Sequence, residues 1–414
     1  MMKREFDIAA AGGGPAGLFA ALSAAEAGRR VVLFEKLPLP GRKLLATGGG
    51  KCNIGNTLSP EELAAAFGRQ GRFMMPALER FYGADMRRWF AERGLEITLD
   101  DDFHYFPATR RAADVLNVLL REAEARGVRI VTGLAVEQLK IENGRLAGVT
   151  TSDGTSHAVR ALVLATGGRG YTALGGGTSG WKLAEQAGHT VKPPVPALVG
   201  LRTVETWPGE CAGLSLPDVR VKIDLPREKT AGRGELLFTQ EGISAYAVLD
   251  LSGRVAELLA THPEVPLTLD LKPEWSPADW RNLLARTRQS GGAKKVSAHL
   301  AELFPKRLAV LLAGADDVPA ARLTADAAER LIRRCTALPL NIRDTDGWER
   351  AMVTRGGVVL KEIDPQTLAS RLVPGLFFAG ETVDLDGPCG GYNLSWAMAS
   401  GVLSGISAAA FVSA

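Results

Sequence analysis

Three glycines in the segment Ala11-Gly12-Gly13-Gly14-Pro15-Ala16-Gly17 have the spacing that dinucleotide chemistry needs. Gly12 suits a tight turn, Gly14 lets the backbone approach a pyrophosphate, and Gly17 permits close helix–strand packing. Pro15 and Ala16 between them sit where a helix would begin, so free N–H groups and the positive end of the helix dipole would face the phosphates. Twenty-three positions after Gly12, Glu35-Lys36 ends the next apolar run, where the Glu35 carboxylate can accept both hydroxyls of an adenosine ribose.

Four further segments favour FAD over a nicotinamide as the tightly held dinucleotide. The loop from Arg42 to Asn53 brings Arg42 and Lys43 to neutralise pyrophosphate, and Gly49, Gly50, Cys52 and Asn53 leave room for flavin rings. A strand near Val136 is placed for backbone contacts to adenine. Thr166-Gly167-Gly168 is a small-residue turn at a strand end. Near the C-terminus, Gly380-Glu381 presents an acid to ribityl hydroxyls, and Gly391-Tyr392-Asn393-Leu394 opens a helix. Backbone N–H groups there can stabilise negative charge on a reduced flavin. A second match, Gly175-x-Gly177-x-x-Gly180, lacks a buried strand before it and reads as a loop. Gly48-Gly49-Gly50-Lys51 is followed by Cys52 rather than Ser or Thr, so it is not a P-loop.

A flavin performs the redox step, so the protein needs to add orientation, electrostatics and one proton donor. Cys389 and Tyr392 are the catalytic candidates by position, with Cys52 behind them. His104 and Tyr105 could line a pocket, although the segment reads better as a surface turn; His189 reads as structural. Between Arg281 and Leu311 seven bases (Arg281, Arg286, Arg288, Lys294, Lys295, Lys306, Arg307) face one acid, Glu302. That is a solvated basic face or a surface for a polyanion such as RNA, with Trp275, Trp280 and Phe304 as thin aromatic interleaving.

The elements that would position these residues form two ends of one α/β domain. The run Val31–Phe34 completes a βαβ unit, which implies a parallel sheet. Helical patterns follow near 60–67, 75–93 and 112–126, then strands near 128–131, 134–141, 146–150 and 161–165. The predicted fold is a Rossmann-like two-part FAD-binding domain, at 1–192 and 343–414, carrying an inserted β-barrel-like module at 193–275 and a small helical module at 276–342. In the β module, prolines are frequent and no helical period is evident. The 414 residues allow about three domain equivalents. Lys+Arg 49 against Asp+Glu 46 gives +3, so overall charge does not argue for nucleic acid or membrane. Four dispersed cysteines without a CxxC exclude a disulfide scaffold and leave no expected metal site. No continuous apolar run reaches about 18 residues, and no signal-peptide pattern opens the chain, so a cytoplasmic protein without membrane partners is expected.

The segments AGGGPAGLFAA, GRKLLATGGGKCNIGN, GHTVKPPVPALVGL, VTRGGVVLKEID and GLFFAGETVDLDGPCGGYNLSWAMASG resemble the BaiN/RdsA-type, YhiN-like NAD(P)/FAD-dependent oxidoreductases, a family that also includes aminoacetone oxidase. The resemblance covers essentially the whole chain. It implies FAD contacts at Gly14, Glu35, Arg42, Lys43, Gly50, Val136, Glu381, Asn393 and Leu394. The chain departs from the family pattern at Thr178-Ser179-Gly180-Trp181 and at Arg355, where substrate could approach. The implied activity is reduction of an activated C=C bond in a small molecule or a nucleobase, including uridine of ribosomal RNA, with NAD(P)H as transient electron donor. Two alternatives are an FAD-dependent amine oxidase and a non-catalytic flavoprotein that binds RNA or a partner.

Overall fold

The computed structural model describes residues 5–290 and 292–413. Contacts divide the chain into two compact units, one comprising the residues up to Val195 and from Val353 onward, the other Pro196–Met352.

The first unit is built on a five-stranded parallel sheet. Its order is Leu376–Phe378, Ala161–Leu164, Ile8–Ala11, Val31–Glu35, Arg129–Thr132. Ile8 pairs with Ala161 on one side and Val31 on the other, so the first strand is central. All three central strands are fully buried, as their apolar runs require when helices cover both faces, and Glu35 at the end of one is buried with them. Helix Pro15–Glu26 follows the first strand, and helix Tyr392–Ser413 packs against it. A β-carbon at Gly401 would lie 2.4 Å from the Ala16 carbonyl oxygen, and one at Gly405 2.3 Å from that of Ala20. The two helix backbones therefore touch, which explains why the C-terminal helix is rich in small residues. Ser395, Ser400, Ser404 and Ser407 interrupt its apolar residues, so no continuous run of about 18 is formed. Among the described residues the helix is long and apolar enough to cross a membrane, yet 67% of its most apolar window is buried inside the fold.

Two antiparallel sheets flank this core. The hairpin Val136–Glu142 and Arg145–Thr151 turns at Asn143-Gly144, as its sequence predicts, and gains a third strand, Ser156–Ala158. The second sheet, Gly55–Asn56, His104–Pro107 and Ile97–Asp100, corrects the surface-turn reading of His104 and Tyr105. Tyr105 is buried there, and both residues belong to the middle strand. The helical stretch expected over 75–93 is broken into Met75–Arg80 and Ala84–Ala91 at Gly83, whose φ is +54°.

The second unit is a closed six-stranded barrel with helices packed on it. Its strand order is Leu201–Thr203, Gly242–Ser244, Ala231–Phe238, Ser215–Ile223, Val265–Asp270, Leu338–Thr345. The last strand spans the boundary expected between 342 and 343, because it pairs with Val265–Asp270 and closes the barrel. Helix Tyr246–Leu259 falls inside the stretch read as purely β. Its buried Ala247, Val248, Leu251 and Val255 do follow a helical period, masked by Ser252, Gly253 and the β-branched valines. Helices Pro277–Ser290, Val296–Leu300, Lys306–Ala313 and Ala325–Thr336 share one apolar core with the barrel, in which Leu236, Val265, Trp280 and Leu308 all take part. The two inserted modules expected at 193–275 and 276–342 thus form one compact unit.

Candidate functional site

At the first glycine turn, Gly12 and Gly17 take the close-packed backbone geometry that their spacing predicts. Gly12 has φ +110°, and a β-carbon there would stand 2.4 Å from the Ala165 carbonyl oxygen. A β-carbon at Gly17 would stand 1.9 Å from the Gly12 carbonyl oxygen. Gly14 differs: no atom lies within 4 Å of its β-carbon position, so the turn opens on empty space at the residue expected to meet a pyrophosphate. Gly14 caps helix Pro15–Glu26 without a side-chain hydrogen bond, and the first turn carries no acid. That helix end therefore retains unsatisfied donors and a positive dipole end for an anion.

Glu35 is buried at the end of its strand. Its carboxylate accepts from the Gly13 N–H at 2.6 Å and the Leu37 N–H at 2.8 Å. A carboxylate has about four acceptor positions, so these bonds aim it while leaving capacity for a diol. The chain then passes to the adenine-side hairpin: Leu134 N–H donates to the Glu35 carbonyl at 3.1 Å, two residues before Val136. The second glycine set packs against Lys36 and the Thr166–Gly168 turn. A β-carbon at Gly177 would lie 3.1 Å from Lys36 Nζ, and one at Gly180 would lie 1.8 Å from Thr166 Oγ1.

The Gly-rich loop folds as helix Arg42–Ala46 followed by a turn in which Gly48, Gly49 and Gly50 all have positive φ. No atom lies within 4 Å of a β-carbon at Gly49. Lys43 Nζ pairs with Glu381 Oε2 at 2.9 Å, and Glu381 Oε1 accepts from the Thr354 N–H at 2.6 Å. Glu381 therefore holds Lys43 and a neighbouring strand. A β-carbon at Gly168 would stand 2.5 Å from Glu381 Oε1, so the Thr166–Gly168 turn also reaches this point. Gly380 approaches Ala16 in the same way, with a β-carbon 2.9 Å from that of Ala16. The fold thus gathers Gly12–Gly17, Glu35, Lys43, Thr166–Gly168 and Glu381 around one region.

Asn53 Oδ1 and Thr166 Oγ1 are buried without a hydrogen-bond partner. Orphaned polar atoms of this kind are rare in a finished core. Together with the open space at Gly14 and Gly49, they fit a polar, phosphate-bearing dinucleotide.

At the C-terminal turn, Gly390 and Gly391 have φ of +117° and +84°. A β-carbon at Gly391 would lie 2.7 Å from the Gly55 backbone, so only glycine permits the two loops to meet. Asn393 Oδ1 accepts from the Gly387 N–H, and its Nδ2 donates to the Gly387 and Pro388 carbonyls. Its side chain therefore shapes the turn itself. Tyr392 packs with its ring 6.4 Å from Phe67, and Leu394 is partly buried. Cys389 is half-buried in the turn. Cys52 is fully buried, and burial pushes its thiol up to about 11, which makes it a poor proton donor near neutrality.

Sequence reading missed several residues. Asn56 Nδ2 donates to the Gly390 carbonyl at 3.0 Å, and Tyr82 Oη donates to Asn56 Oδ1 at 3.0 Å. These bonds fasten the Gly-rich loop to the C-terminal turn. His104 lies against that same turn, with Asp101 behind it. The sequence signal was the cluster Asp101-Asp102-Phe103-His104-Tyr105. His189 fits its structural reading: it is buried and bonded through Nε2 to Ser370 Oγ at 2.7 Å.

The basic stretch of the second unit is less unbalanced than its sequence window. Arg281 pairs with Glu329 at 2.6 Å, Lys294 with Glu302 at 2.7 Å and Lys295 with Asp317 at 3.6 Å. Two of these acids, Glu329 and Asp317, come from outside the window. Among the described residues no cluster of His, Cys, Asp and Glu could hold a metal ion.

The HI0933-like protein Rossmann domain family matches residues 6–407, and the chain belongs to that family. A 3-dehydro-bile acid delta(4,6)-reductase of Clostridium scindens is 34% identical over 96% of this chain and 98% of its own length. A ribosomal RNA dihydrouridine synthase of Escherichia coli is 31% identical over 96% of each. In fold, the chain is similar to a 3-ketosteroid delta1-dehydrogenase of Sterolibacterium denitrificans, with a TM-score of 0.55 at 14% identity, covering 98% of this chain and 99% of that one. The Rossmann-type α/β fold and the FAD-dependent oxidoreductase class expected from the sequence are those of this family and its relatives.

Proposed function

We propose that this member of the HI0933-like family uses bound FAD and transient NAD(P)H to reduce a C=C bond conjugated to a carbonyl. The observation that carries the reading is the open space at Gly14, taken with the aimed Glu35 carboxylate and the Lys43–Glu381 pair. The reactions named for the two relatives share one chemistry, saturation of a carbon–carbon bond activated by a neighbouring carbonyl. Bound FAD supplies the hydride chemistry at such a site. The chain's own residues do the rest. Gly12–Gly17 and the helix end hold the phosphates, with Arg42 and Lys43 adding positive charge. Glu35 takes the adenosine ribose, Val136 the adenine side, and Glu381 the ribityl chain. The Gly390–Gly391 turn presents backbone N–H groups to the flavin ring.

A small enone is the favoured substrate class, because three of the seven bases in that stretch, Arg281, Lys294 and Lys295, are engaged by Glu329, Glu302 and Asp317. The demand for NAD(P)H agrees with the cytoplasmic location expected from the sequence. The test is anaerobic mixing of the yellow holoenzyme with NADH or NADPH, then with a 3-oxo-4,6-diene bile acid. Bleaching by the nucleotide and recolouring by the dienone are expected. Bleaching only by an amine would establish the oxidase instead. Loss of dihydrouridine from ribosomal RNA in a deletion strain would transfer the activity to the nucleobase.

A further inference from the structure

We infer that His104, held by Asp101, gives the proton in this reduction, a role that rests on the reductase reading above. His104 Nδ1 lies 3.0 and 2.8 Å from the two Asp101 carboxylate oxygens. The His104 backbone N–H also donates to Asp101 Oδ1 at 3.0 Å, so ring and main chain are gripped by one carboxylate. An acceptor at Nδ1 keeps that nitrogen protonated, and Nε2 becomes the nitrogen that loses and regains a proton.

Nε2 points at the turn expected to face the flavin. A β-carbon on Gly390 would stand 3.0 Å from Nε2 and 3.6 Å from Cδ2 of the ring. The strand carrying His104 is fixed there independently. His104 pairs in register with Asn56, whose side chain donates to the Gly390 carbonyl. Phe103 and Phe106 meet the imidazole edge to face at 4.8 and 6.5 Å, and the side chain keeps 18% of its surface exposed. Asp101 and Asp102 hold φ of +48° and +59°, a costly backbone for non-glycine residues that tends to collect at functional sites. Of the charges nearby, Asp100 pairs with Arg110 at 2.7 Å, Lys51 acts on Asp100, Arg87 lies over the Tyr105 ring at 4.9 Å, and Asp102 follows Asp101 in the turn.

In the step, the acceptor gains a hydride at its β-carbon, with NAD(P)H as the ultimate reductant. The Nε2–H bond breaks, and its electron pair stays on the imidazole. The proton joins the α-carbon, and the former π pair becomes the new C–H bond. Water then returns a proton to Nε2, with Nδ1–H still bonded to Asp101.

The test uses holoenzyme reduced with NADPH, the dienone probe and D2O, comparing wild type with His104→Ala and Asp101→Asn. His104→Ala is expected to retain FAD and to bleach at the wild-type rate, while recolouring slows by about 10²–10⁴. Deuterium should enter one face of the α-carbon in wild type and both faces in His104→Ala, and added imidazole should restore part of the rate. In the FAD-free protein, nitrogen NMR should find His104 Nδ1 protonated in wild type and the proton moved to Nε2 in Asp101→Asn. Wild-type rate and one-faced labelling in His104→Ala would overturn the role alone. A wild-type holoenzyme that reduces no conjugated C=C bond would overturn the reductase reading and the role with it.

Discussion

Lys43 Nζ and Glu381 Oε2 stand 2.9 Å apart, although 338 positions separate them in the chain. One comes from the Gly-rich loop near the N-terminus and the other from the end of the last sheet strand. The pair is partly exposed, so its own contribution to stability is small, about 1 kcal/mol or less. Its value lies in placement: Glu381 fixes the Lys43 ammonium, which the proposed site assigns to the dinucleotide phosphates. Lys43→Ala should leave the fold intact and weaken FAD binding about tenfold to a hundredfold, the range of one charge-assisted hydrogen bond. Flavin fluorescence titration of FAD-stripped protein measures this, and unchanged affinity would remove Lys43 from the site.

Gly14→Val separates folding from binding. Its φ of −79° is open to any residue, and no atom lies within 4 Å of the β-carbon. The variant should melt within about 1 kcal/mol of FAD-stripped wild type, as surface changes do, yet purify colourless. A yellow Gly14→Val protein would show that the dinucleotide does not approach this turn.

Glu35→Ala removes the acceptor for the Gly13 and Leu37 N–H groups as well as the proposed ribose contact. Leaving those donors unmet costs about 1–3 kcal/mol, and FAD affinity should fall with stability. Glu35→Gln keeps one acceptor and should recover part of the fold but little of the affinity. Equilibrium dialysis with FAD ranks the two.

Acid should loosen the first unit through His189. Burial holds its imidazole below the ordinary histidine range, outweighing the pull of Glu362. The unfolded chain therefore binds the proton more readily. Stability from the neutral ring is complete above about pH 6.5 and is lost as pH falls through the lower folded value. The melting temperature of wild type should drop between pH 7 and pH 5 more steeply than that of His189→Gln. Parallel curves would assign the acid sensitivity to other groups.

Ala245 begins helix Tyr246–Leu259 with φ +75° and ψ −176°, a region nearly restricted to glycine. Ala245→Gly should relieve that strain and stabilise the second unit by about 1 kcal/mol, net of glycine's entropy cost in the unfolded chain. Calorimetry would show the higher midpoint, and a lower one would mean that the surroundings already absorb the strain.

The sequence by itself determined the parts whose physics is local. Gly17 had to be glycine because its β-carbon would meet the Gly12 carbonyl inside one turn, Gly12 took the positive φ that its turn needs, and Glu35 followed from the length of one βαβ unit. The alternation and buried runs of the sheet strands, and the Asn143-Gly144 hairpin, were legible for the same reason. Only the tertiary structure decided that Leu338–Thr345 closes the barrel, that Asn56 bolts the Gly-rich loop to Gly390, and that His104 stands against that turn rather than on the surface. It also supplied Glu329 and Asp317 to bases that looked unpaired in their own window. Each of these depends on two segments brought together by packing across tens to hundreds of residues. Periodicity and turn chemistry act over a few residues, and they carry no record of which distant surface a side chain will meet.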